Sequence, residues 1–248
     1  MKPHTIMLVA GWAHTSFDLS SLAAALAPLG EVQSTSPSEL LAEAAPPSPG
    51  ATLSAYAQAL QVRIAASRAP VCLLGWSMGA MIALEATCHP HAPAISQRIL
   101  LAGTARFGST EGYTSGVPPA NLRALRAGLR RHPAATLQAF YRDVAHPQPD
   151  MPELLAQKTA RALASGVAQL DAGLTYLQET DLRTALMGDT CPTLLLHGRQ
   201  DRIIPWEASA GLHQQLTQSR LHICEQAGHE LLADIEVVSA SIQAFSHG

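Results

Sequence analysis

The chain has 248 residues, of which 47% are hydrophobic and 14% charged, and its formal net charge is -3 at pH 7. This composition excludes an intrinsically disordered chain and supplies enough apolar side chains for a hydrophobic core. The slight negative charge and an aromatic content of 4% give no basis for a nucleic-acid or anionic-membrane partner. Because no apolar run approaches the roughly 18 residues that a membrane-spanning helix needs, we predict a soluble, cytoplasmic protein.

The cysteines and the N-terminus bear on the cellular compartment. Cysteines stand at positions 72, 88, 191 and 224, with no spacing typical of a metal site. We interpret them as small buried hydrophobic residues of a reducing compartment, without disulfides. Met1-Lys2 and the apolar residues 6–10 only faintly resemble a secretory signal, because the apolar stretch is too short and no small-residue cleavage site follows it.

Short apolar runs alternate with longer helical stretches along much of the chain. The predicted strands cover residues 5–10, 31–35, 71–75, 98–103, 193–197 and 220–224. Between the first four strands, Leu, Ala and Ile recur at helical spacing in residues 19–29, 53–66 and 78–88. This alternation predicts an α/β fold with a mostly parallel sheet flanked by helices. The Pro-rich residues 43–50 are predicted to be a surface loop.

The alternation stops in the middle of the chain, where no convincing strand occurs. Leucine recurs there at helical spacing, as at Leu122, Leu125 and Leu129. We therefore predict an all-helical cap at residues 105–185, inserted into an α/β core that is formed by residues 1–104 and 186–248.

A G-x-S-x-G motif, Gly75-Trp76-Ser77-Met78-Gly79, lies directly between a predicted strand and a predicted helix. This context is typical of a nucleophile elbow, a sharp turn that presents a serine above the sheet at the N-terminus of a helix. Small residues on either side let the chain pass close to itself in such a turn. We predict that Ser77 is a catalytic nucleophile.

A serine needs a general base, and the base needs a carboxylate that orients it. Asp201 follows the fifth predicted strand by four residues, and His229 follows the sixth by five. Because the carboxyl ends of parallel strands share one edge of the sheet, both side chains are expected to reach Ser77. The order serine, acid, histidine is the one found in hydrolases of this architecture. We predict Asp201 as the acid and His229 as the base.

Three other acidic residues near the fifth predicted strand remain as alternatives. Asp181 and Asp189 precede that strand and are interpreted as capping or solvent-exposed residues. Glu207 follows Pro205-Trp206 at the predicted start of a helix, where a negative charge suits the helix dipole.

Other histidines also have simpler interpretations. His197 ends the fifth predicted strand and is interpreted as a packed, hydrogen-bonded core histidine. His89 and His91 only weakly indicate a metal pair, because Pro90 separates them and no third ligand is near. Because a serine, a histidine and an acid carry out nucleophilic catalysis by themselves, we predict no metal and no organic cofactor.

An oxyanion hole requires two backbone N–H donors beside the elbow. Met78 follows the serine, and Trp12 lies in the loop after the first predicted strand. We predict that the N–H groups of Trp12 and Met78 form the oxyanion hole and that both residues contact the substrate, with the Trp12 indole lining the pocket.

Together these features resemble the α/β-hydrolase fold with a helical cap and, more narrowly, the pimeloyl-[acyl-carrier-protein] methyl ester esterases of biotin synthesis. The motifs that carry the resemblance are Ala10-Gly11-Trp12, Gly75-Trp76-Ser77-Met78-Gly79, Thr180-Asp181-Leu182-Arg183, His197-Gly198-Arg199-Gln200-Asp201 and Ala227-Gly228-His229. Ala10 departs from the histidine that the family usually has there. The resemblance implies a serine carboxylesterase that cleaves a methyl ester of a pimeloyl chain bound to acyl carrier protein. It also implies that Phe140, in a cap helix, lines the acyl channel.

The predicted cap is basic, whereas the remainder of the chain is acidic. Residues 105–185 contain nine Lys or Arg and seven Asp or Glu, and residues 121–142 contain five arginines and no acid. Arg123, Arg126 and Arg130 fall on one face of a predicted helix, where they are expected to stay solvated. Family members dock the acidic acyl carrier protein through cap arginines, so the resemblance makes these three the candidate docking site.

Other functions share these sequence features. A different small-ester hydrolase, a carbon–carbon lyase or a cofactor-free haloperoxidase would keep the same triad on the same scaffold. A non-catalytic, hydrolase-like receptor is disfavoured, because all three triad candidates are present.

Overall fold

The structure, a computed structural model, describes residues 4–46, 52–89 and 91–246. The described residues form six β-strands and ten α-helices. The strands are β1 (His4–Val9), β2 (Gly30–Thr35), β3 (Val71–Trp76), β4 (Gln97–Leu101), β5 (Thr193–Gly198) and β6 (Ser219–Cys224). The helices are α1 (Ser20–Leu26), α2 (Pro37–Glu43), α3 (Ala55–Ala66), α4 (Met78–Thr87), α5 (Pro119–Arg131), α6 (Pro133–Ala145), α7 (Pro152–Ala164), α8 (Val167–Glu179), α9 (Trp206–Gln215) and α10 (Ile235–Ser246). Met1-Lys2 and residues 47–50 of the predicted surface loop lie outside the described residues.

The strands form one sheet in the order β2-β1-β3-β4-β5-β6, and every neighbouring pair is parallel. The predicted α/β fold is therefore confirmed, and each predicted strand lies within two residues of its observed bounds. The chain places β2 on one side of β1 and then crosses to β3 on the other side. This change of direction opens a crevice at the carboxyl ends of β1 and β3, which is where ligands bind in open parallel sheets.

Both faces of the sheet are covered by helices, because side chains along each strand alternate between the two faces. In β1, Met7 and Val9 belong to one apolar cluster with side chains of α3 and α4. Ile6 and Leu8 belong to a second cluster with side chains of α1 and α10. Burial on both faces explains why the strands appear in the sequence as nearly continuous apolar runs.

Four helices, α5 to α8, lie between β4 and β5, and we call them the cap helices. Residues 106–117, which precede them, are not helical and contain short β-bridges, so the expectation of an all-helical insertion is wrong there. Three glycines within these residues oppose a regular helix. The neck of the insertion is closed where Arg106 pairs with Asp181, with 2.6 Å between Nη1 and Oδ2.

Of the two interpretations of Asp189 from the sequence, solvent exposure is wrong, whereas a capping role agrees with the structure. Asp189 Oδ1 accepts a hydrogen bond from the Cys191 N–H (3.0 Å). Its carboxylate pairs with the guanidinium of Arg98, whose side chain is completely buried. Arg98 also donates hydrogen bonds to Thr87 Oγ1 (2.7 Å) and Thr193 Oγ1 (3.1 Å), at the end of the sheet opposite the crevice. This buried ion pair fixes the segment that leads into β5.

Replacing Asp189 by alanine should lower the free energy of unfolding by about 3–5 kcal/mol, because it leaves the Arg98 charge buried without its partner. Urea denaturation measures the change. Asp150→Ala is the matched control, since Asp150 is 60% exposed and lies 3.7 Å from Arg142, and it should cost less than about 1 kcal/mol. Equal losses in the two variants would contradict a stabilising role for the buried pair.

All four cysteines are free thiols, but of the four predicted to be buried only Cys72 is, and Cys88, Cys191 and Cys224 are partly buried. Burial raises the pKa of Cys72 and of Cys88 to about 11, so these two thiols resist ionisation. Among the residues that the structure describes, no helix combines the length and the apolar character needed to cross a membrane.

Candidate active site

The turn between β3 and α4 holds Ser77 in a backbone conformation that residues other than glycine rarely adopt, with φ 57° and ψ -119°. The flanking glycines allow the close approaches that this turn requires. A Cβ atom at Gly75 would lie 2.3 Å from the Gly79 carbonyl oxygen, and one at Gly79 would lie 2.2 Å from that of Val9. The Ser77 N–H donates a hydrogen bond to Leu101 O (2.8 Å), which ties the turn to β4. The serine therefore stands at the N-terminus of α4, above the crevice.

The structure brings Ser77, His229 and Asp201 together in one hydrogen-bonded chain. His229 Nδ1 lies 2.7 Å from Asp201 Oδ2, and His229 Nε2 lies 2.9 Å from Ser77 Oγ. Because a carboxylate only accepts hydrogen bonds, Nδ1 carries the ring proton and Nε2 is free to accept the serine proton. Asp201 Oδ1 accepts two further bonds from the N–H groups of Ile203 (2.7 Å) and Ile204 (2.9 Å). Every side-chain polar atom of this arrangement is thus oriented by a partner.

The carboxyl group of Asp201 is ionised despite its complete burial. Burial alone would raise its pKa. The electrostatic interaction with His229 and the hydrogen bonds from His197 and His229 outweigh that effect, so the pKa of Asp201 lies well below its ordinary value. Asp201 can therefore hold the imidazole of His229 in the tautomer that accepts a proton from serine.

His197 is buried and hydrogen-bonded, as predicted for a core histidine, but it also contacts Asp201, the predicted acid. Its Nε2 lies 3.0 Å from Asp201 Oδ2 and 3.0 Å from Ile204 O. Its Nδ1 lies 2.6 Å from the hydroxyl oxygen of Ser209 on α9. Sequence reasoning missed this contact. The signal that could have indicated it is the four-residue spacing between His197 and Asp201 across the end of β5.

The loop after β1 passes directly beside the serine. A Cβ atom at Gly11 would lie 3.2 Å from Ser77 Cβ, which is closer than ordinary van der Waals contact, so this position favours glycine. Within the described part of the chain, the backbone N–H groups of Trp12 and Met78 have no hydrogen-bond partner. Both predicted oxyanion donors are therefore available at the elbow and its neighbouring loop.

Two residues that sequence reasoning missed hold the loop after β1 in place. The ring of His14 donates from Nδ1 to Trp12 O (2.9 Å), and the Tyr141 hydroxyl of α6 donates to Ala13 O. Burial, with a smaller contribution from the charge of Lys158, lowers the pKa of His14 to about 4, so this histidine is neutral near pH 7. The cap helices thus help to fix the loop that carries the predicted donor.

A cavity of about 630 Å³ lies between the elbow and helices α5, α6 and α8. Ser77 and Trp12 line it, and the Phe140 ring packs edge-on against the Trp12 indole with 4.8 Å between ring centroids. Most of its lining is apolar, with side chains such as Leu122 and Leu177. The Met78 side chain is fully buried in the core, so the expectation that it contacts the substrate is limited to its backbone N–H. The cavity has the size of a typical small-ligand site.

The three cap arginines differ in their surroundings. Arg126 makes a two-pronged contact with Asp171 of α8, at 2.9 Å from Nε and 2.8 Å from Nη2, so the expectation that it stays solvated is wrong. Arg130 lies 3.5 Å from the same carboxylate and is exposed, as is Arg123. The acid-free stretch of sequence therefore meets an acid in space, because α8 packs beside α5.

The alternative acids, Asp181, Asp189 and Glu207, and the histidines His89 and His91 do not contact the hydrogen-bonded chain of Ser77, His229 and Asp201. Hydrogen bonds from Arg183, aided by one from Arg106, hold the pKa of Asp181 far below its ordinary value at the neck of the insertion. Glu207 lies in the exposed first turn of α9. The rings of His89 and His91 lie 6.0 Å apart, and the described residues contain no group of three side chains that could hold a metal ion.

Comparisons with known proteins agree with this architecture. Residues 7–239 match the family model described as the alpha/beta hydrolase family. The chain is 31% identical over 169 residues to a pimeloyl-[acyl-carrier protein] methyl ester esterase of Nitrosospira multiformis, which covers 64% of this chain and 62% of that protein. It is 32% identical to a protein of the same name from Aromatoleum aromaticum, over 74% of this chain and 75% of that one. The match thus spans less than two thirds of the Nitrosospira protein.

Solved structures share the fold at low sequence identity. An esterase from Exiguobacterium antarcticum superposes with a TM-score of 0.84 at 20% identity, covering 100% of this chain and 94% of that one. A bromoperoxidase from Bacillus anthracis superposes with a TM-score of 0.85 at 18% identity, covering 99% and 92%. At such identities the likeness concerns the fold alone. With the family model matching nearly the whole chain, the protein belongs to the alpha/beta hydrolase family.

Proposed function

We propose that this protein is a serine carboxylesterase whose substrate is the methyl ester of a pimeloyl chain on acyl carrier protein, in biotin biosynthesis. The hydrogen-bonded chain from Ser77 through His229 to Asp201, beside an apolar cavity, carries the proposal of ester hydrolysis. The name shared by the relatives of about 30% identity supports the choice of substrate. Such a substrate places the reaction in the cytoplasm.

In the proposed reaction, Ser77 Oγ attacks the ester carbonyl carbon while His229 Nε2 accepts the hydroxyl proton. The negative charge that develops on the carbonyl oxygen is stabilised by the N–H groups of Trp12 and Met78. His229 then donates its proton to the departing methoxide, and methanol leaves an acyl-serine. A water molecule, deprotonated by the same imidazole, releases the carboxylic acid. These steps use neither a metal nor an organic cofactor.

The cavity supports an acyl substrate for a physical reason. An ester at Ser77 would place a hydrocarbon chain against Trp12, Phe140 and the leucines of the cap helices, where apolar burial favours binding. The cap, proposed as residues 105–185, would thus bind the chain, while the core, residues 1–104 and 186–248, carries the triad.

Mass spectrometry of the carrier protein tests the substrate. Incubation of methyl pimeloyl-acyl carrier protein with the enzyme should convert the ester to the free acid, which is seen as the loss of one CH₂ unit. Release of the whole acyl group by cleavage at the thioester would contradict the proposed site of hydrolysis. No change with this substrate, combined with turnover of p-nitrophenyl butyrate, would retain the esterase and exclude the carrier-bound ester.

For carrier docking, we propose Arg123 and Arg130 as contacts to the acidic acyl carrier protein. Both are exposed on α5, and other residues of this helix line the cavity. Arg126, the third candidate, serves chiefly to hold α5 against α8 through Asp171. A test that reverses its charge would place glutamate against Asp171 and damage the cap, so Arg126 is left unchanged.

Arg123 and Arg130 replaced together by glutamate should weaken turnover of the carrier-bound ester at least about tenfold, because two attractive contacts become repulsive. Turnover of p-nitrophenyl butyrate should be nearly unchanged, and the wild-type carrier reaction should slow as salt rises. The double variant Arg68→Glu/Arg220→Glu is the matched control, since both arginines are exposed and lie outside the cap. Equal losses on the two substrates would indicate a damaged cap, and equal losses in the control would indicate a non-specific effect of net charge.

A further inference from the structure

The carboxylate of Asp201 is shared by two histidines, although the proposed reaction uses one. Oδ2 lies 2.7 Å from His229 Nδ1 and 3.0 Å from His197 Nε2. The side chains of Asp201 and His197 have no exposed surface, and that of His229 is 1% exposed. Buried polar atoms nearly always have a hydrogen-bond partner, and both ring nitrogens of His197 have one, so the protonation of His197 can be inferred from its contacts.

The Nε2 atom of His197 faces acceptors alone. Besides Asp201 Oδ2, it lies 3.0 Å from the carbonyl oxygen of Ile204. A carbonyl oxygen and an ionised carboxylate both lack a proton to donate. Nε2 therefore carries a hydrogen, which it directs between these two oxygens.

The Nδ1 atom of His197 also faces an acceptor, once the proton of its neighbour is assigned. Nδ1 lies 2.6 Å from Ser209 Oγ, and the same Oγ lies 2.7 Å from the carbonyl oxygen of Gly103. Ser209 has one hydroxyl proton, and Gly103 O can only accept it. Ser209 Oγ must then accept from His197 Nδ1. In the alternative, the hydroxyl proton of Ser209 points toward His197 Nδ1. Ser209 Oγ and Gly103 O, both buried, would then be in contact without a hydrogen between them.

We propose that His197 is a buried imidazolium, and that it acts as a positioning residue by anchoring the triad acid and opposing protonation of His229. The inference rests on the proposed function, in which His229 is the general base. The two ring nitrogens that share Asp201 Oδ2 are at most about 6 Å apart, and a cation at that distance disfavours a second positive charge. The general base then stays neutral, and active, at lower pH than with Asp201 alone.

The other charged groups around the pair are exposed or are offset by an opposite charge. Arg202 and Asp143 line the cavity with Ser77, carry opposite charges and are both exposed. Glu230, next to His229, pairs with Lys158 of α7 at 2.5 Å, so their charges offset each other. From α9, Ser209 contacts the His197 ring, whereas Glu207 is exposed. Among the described residues, Asp201 is the one charged side chain that hydrogen-bonds to His197.

The pH dependence of kcat/KM for p-nitrophenyl butyrate tests the role in catalysis. Its acidic limb reports the protonation of His229 in the free enzyme. In His197→Gln, which can still donate an amide hydrogen but carries no charge, that limb should move to higher pH by about one to two units. Two results would overturn the proposal. One is a lower kcat/KM at every pH with the acidic limb unchanged, and the other is a shift of the acidic limb to lower pH.

His213→Gln is the matched control. His213 lies on α9, and its Nδ1 contacts a serine hydroxyl, Ser219 Oγ, at 2.7 Å, but it does not touch the triad. Its replacement should leave the acidic limb where it is in the wild type. A shift of equal size in the control would also overturn the assignment to His197.

A second measurement holds even where His197→Gln fails to fold. In ¹⁵N-labelled wild-type protein at the pH of the activity assay, both ring nitrogens of His197 should show the chemical shifts of protonated nitrogens. The signals are assigned by their change in Ser209→Ala, which removes the acceptor at Nδ1. A single unprotonated ring nitrogen under these conditions would refute the imidazolium. The measurement needs no turnover, so it is independent of whether Ser77 proves to be the nucleophile.

Discussion

Replacement of Ser77 by alanine is expected to reduce ester hydrolysis by roughly 10⁴- to 10⁶-fold, because the covalent step loses its nucleophile. Alanine has the same Cβ atom as serine and faces the same backbone conformation, so the fold should persist. Circular dichroism and the melting temperature check this. Wild-type enzyme should also be labelled by a fluorophosphonate, and the Ser77→Ala variant should not.

Ser239→Ala, a change at a half-buried serine of α10 whose hydroxyl contacts Glu236 O, is the control and should keep wild-type activity. If the Ser77→Ala variant retained more than about a tenth of the activity, the nucleophile would lie elsewhere. If the wild type resisted labelling and showed no ester hydrolysis, a non-catalytic hydrolase-like protein would be favoured instead.

Replacement of Asp201 by asparagine should lower kcat by about 10⁴-fold. The amide can place either its NH₂ group or its oxygen toward His229. With NH₂ toward His229, the imidazole is driven into the tautomer that cannot accept the serine proton. With oxygen toward His229, the NH₂ group faces the N–H donors of Ile203 and Ile204, which lie 2.7 and 2.9 Å from Asp201 Oδ1. Both orientations therefore break part of the arrangement.

Steady-state kinetics with p-nitrophenyl butyrate measures this loss, and Glu207→Gln provides the comparison. Glu207 is the exposed alternative acid on α9, and its neutralisation should leave kcat within about twofold of the wild-type value. A mild effect of Asp201→Asn, or a severe effect of Glu207→Gln, would show that the acid is assigned to the wrong residue.

Much of the site could be predicted because its parts are local in sequence. A strand buried on both faces requires a continuous apolar run, and the elbow at Ser77 requires small residues where the chain contacts itself. Asp201 and His229 could be placed since each follows a strand, and parallel strands end on one edge of the sheet. The non-helical residues 106–117 also had a local signal, in their glycines, that the predicted all-helical insertion did not take into account.

The sequence by itself thus determined the parallel sheet, the elbow and the order of the residues around it, because strand and turn formation depend on neighbouring residues. The tertiary structure alone decided which distant charges meet. Asp171 contacts Arg126 across 45 residues, and Asp189 contacts Arg98 across 91. That His197 is buried could be predicted from its strand. Its orientation toward Asp201 depends on hydrogen bonds that involve Ser209 of α9 and Gly103 after β4, which only the packing brings together. Such contacts arise when separate elements pack and exclude water, so hydrogen bonds and charges must be satisfied by whichever side chains the packing brings close.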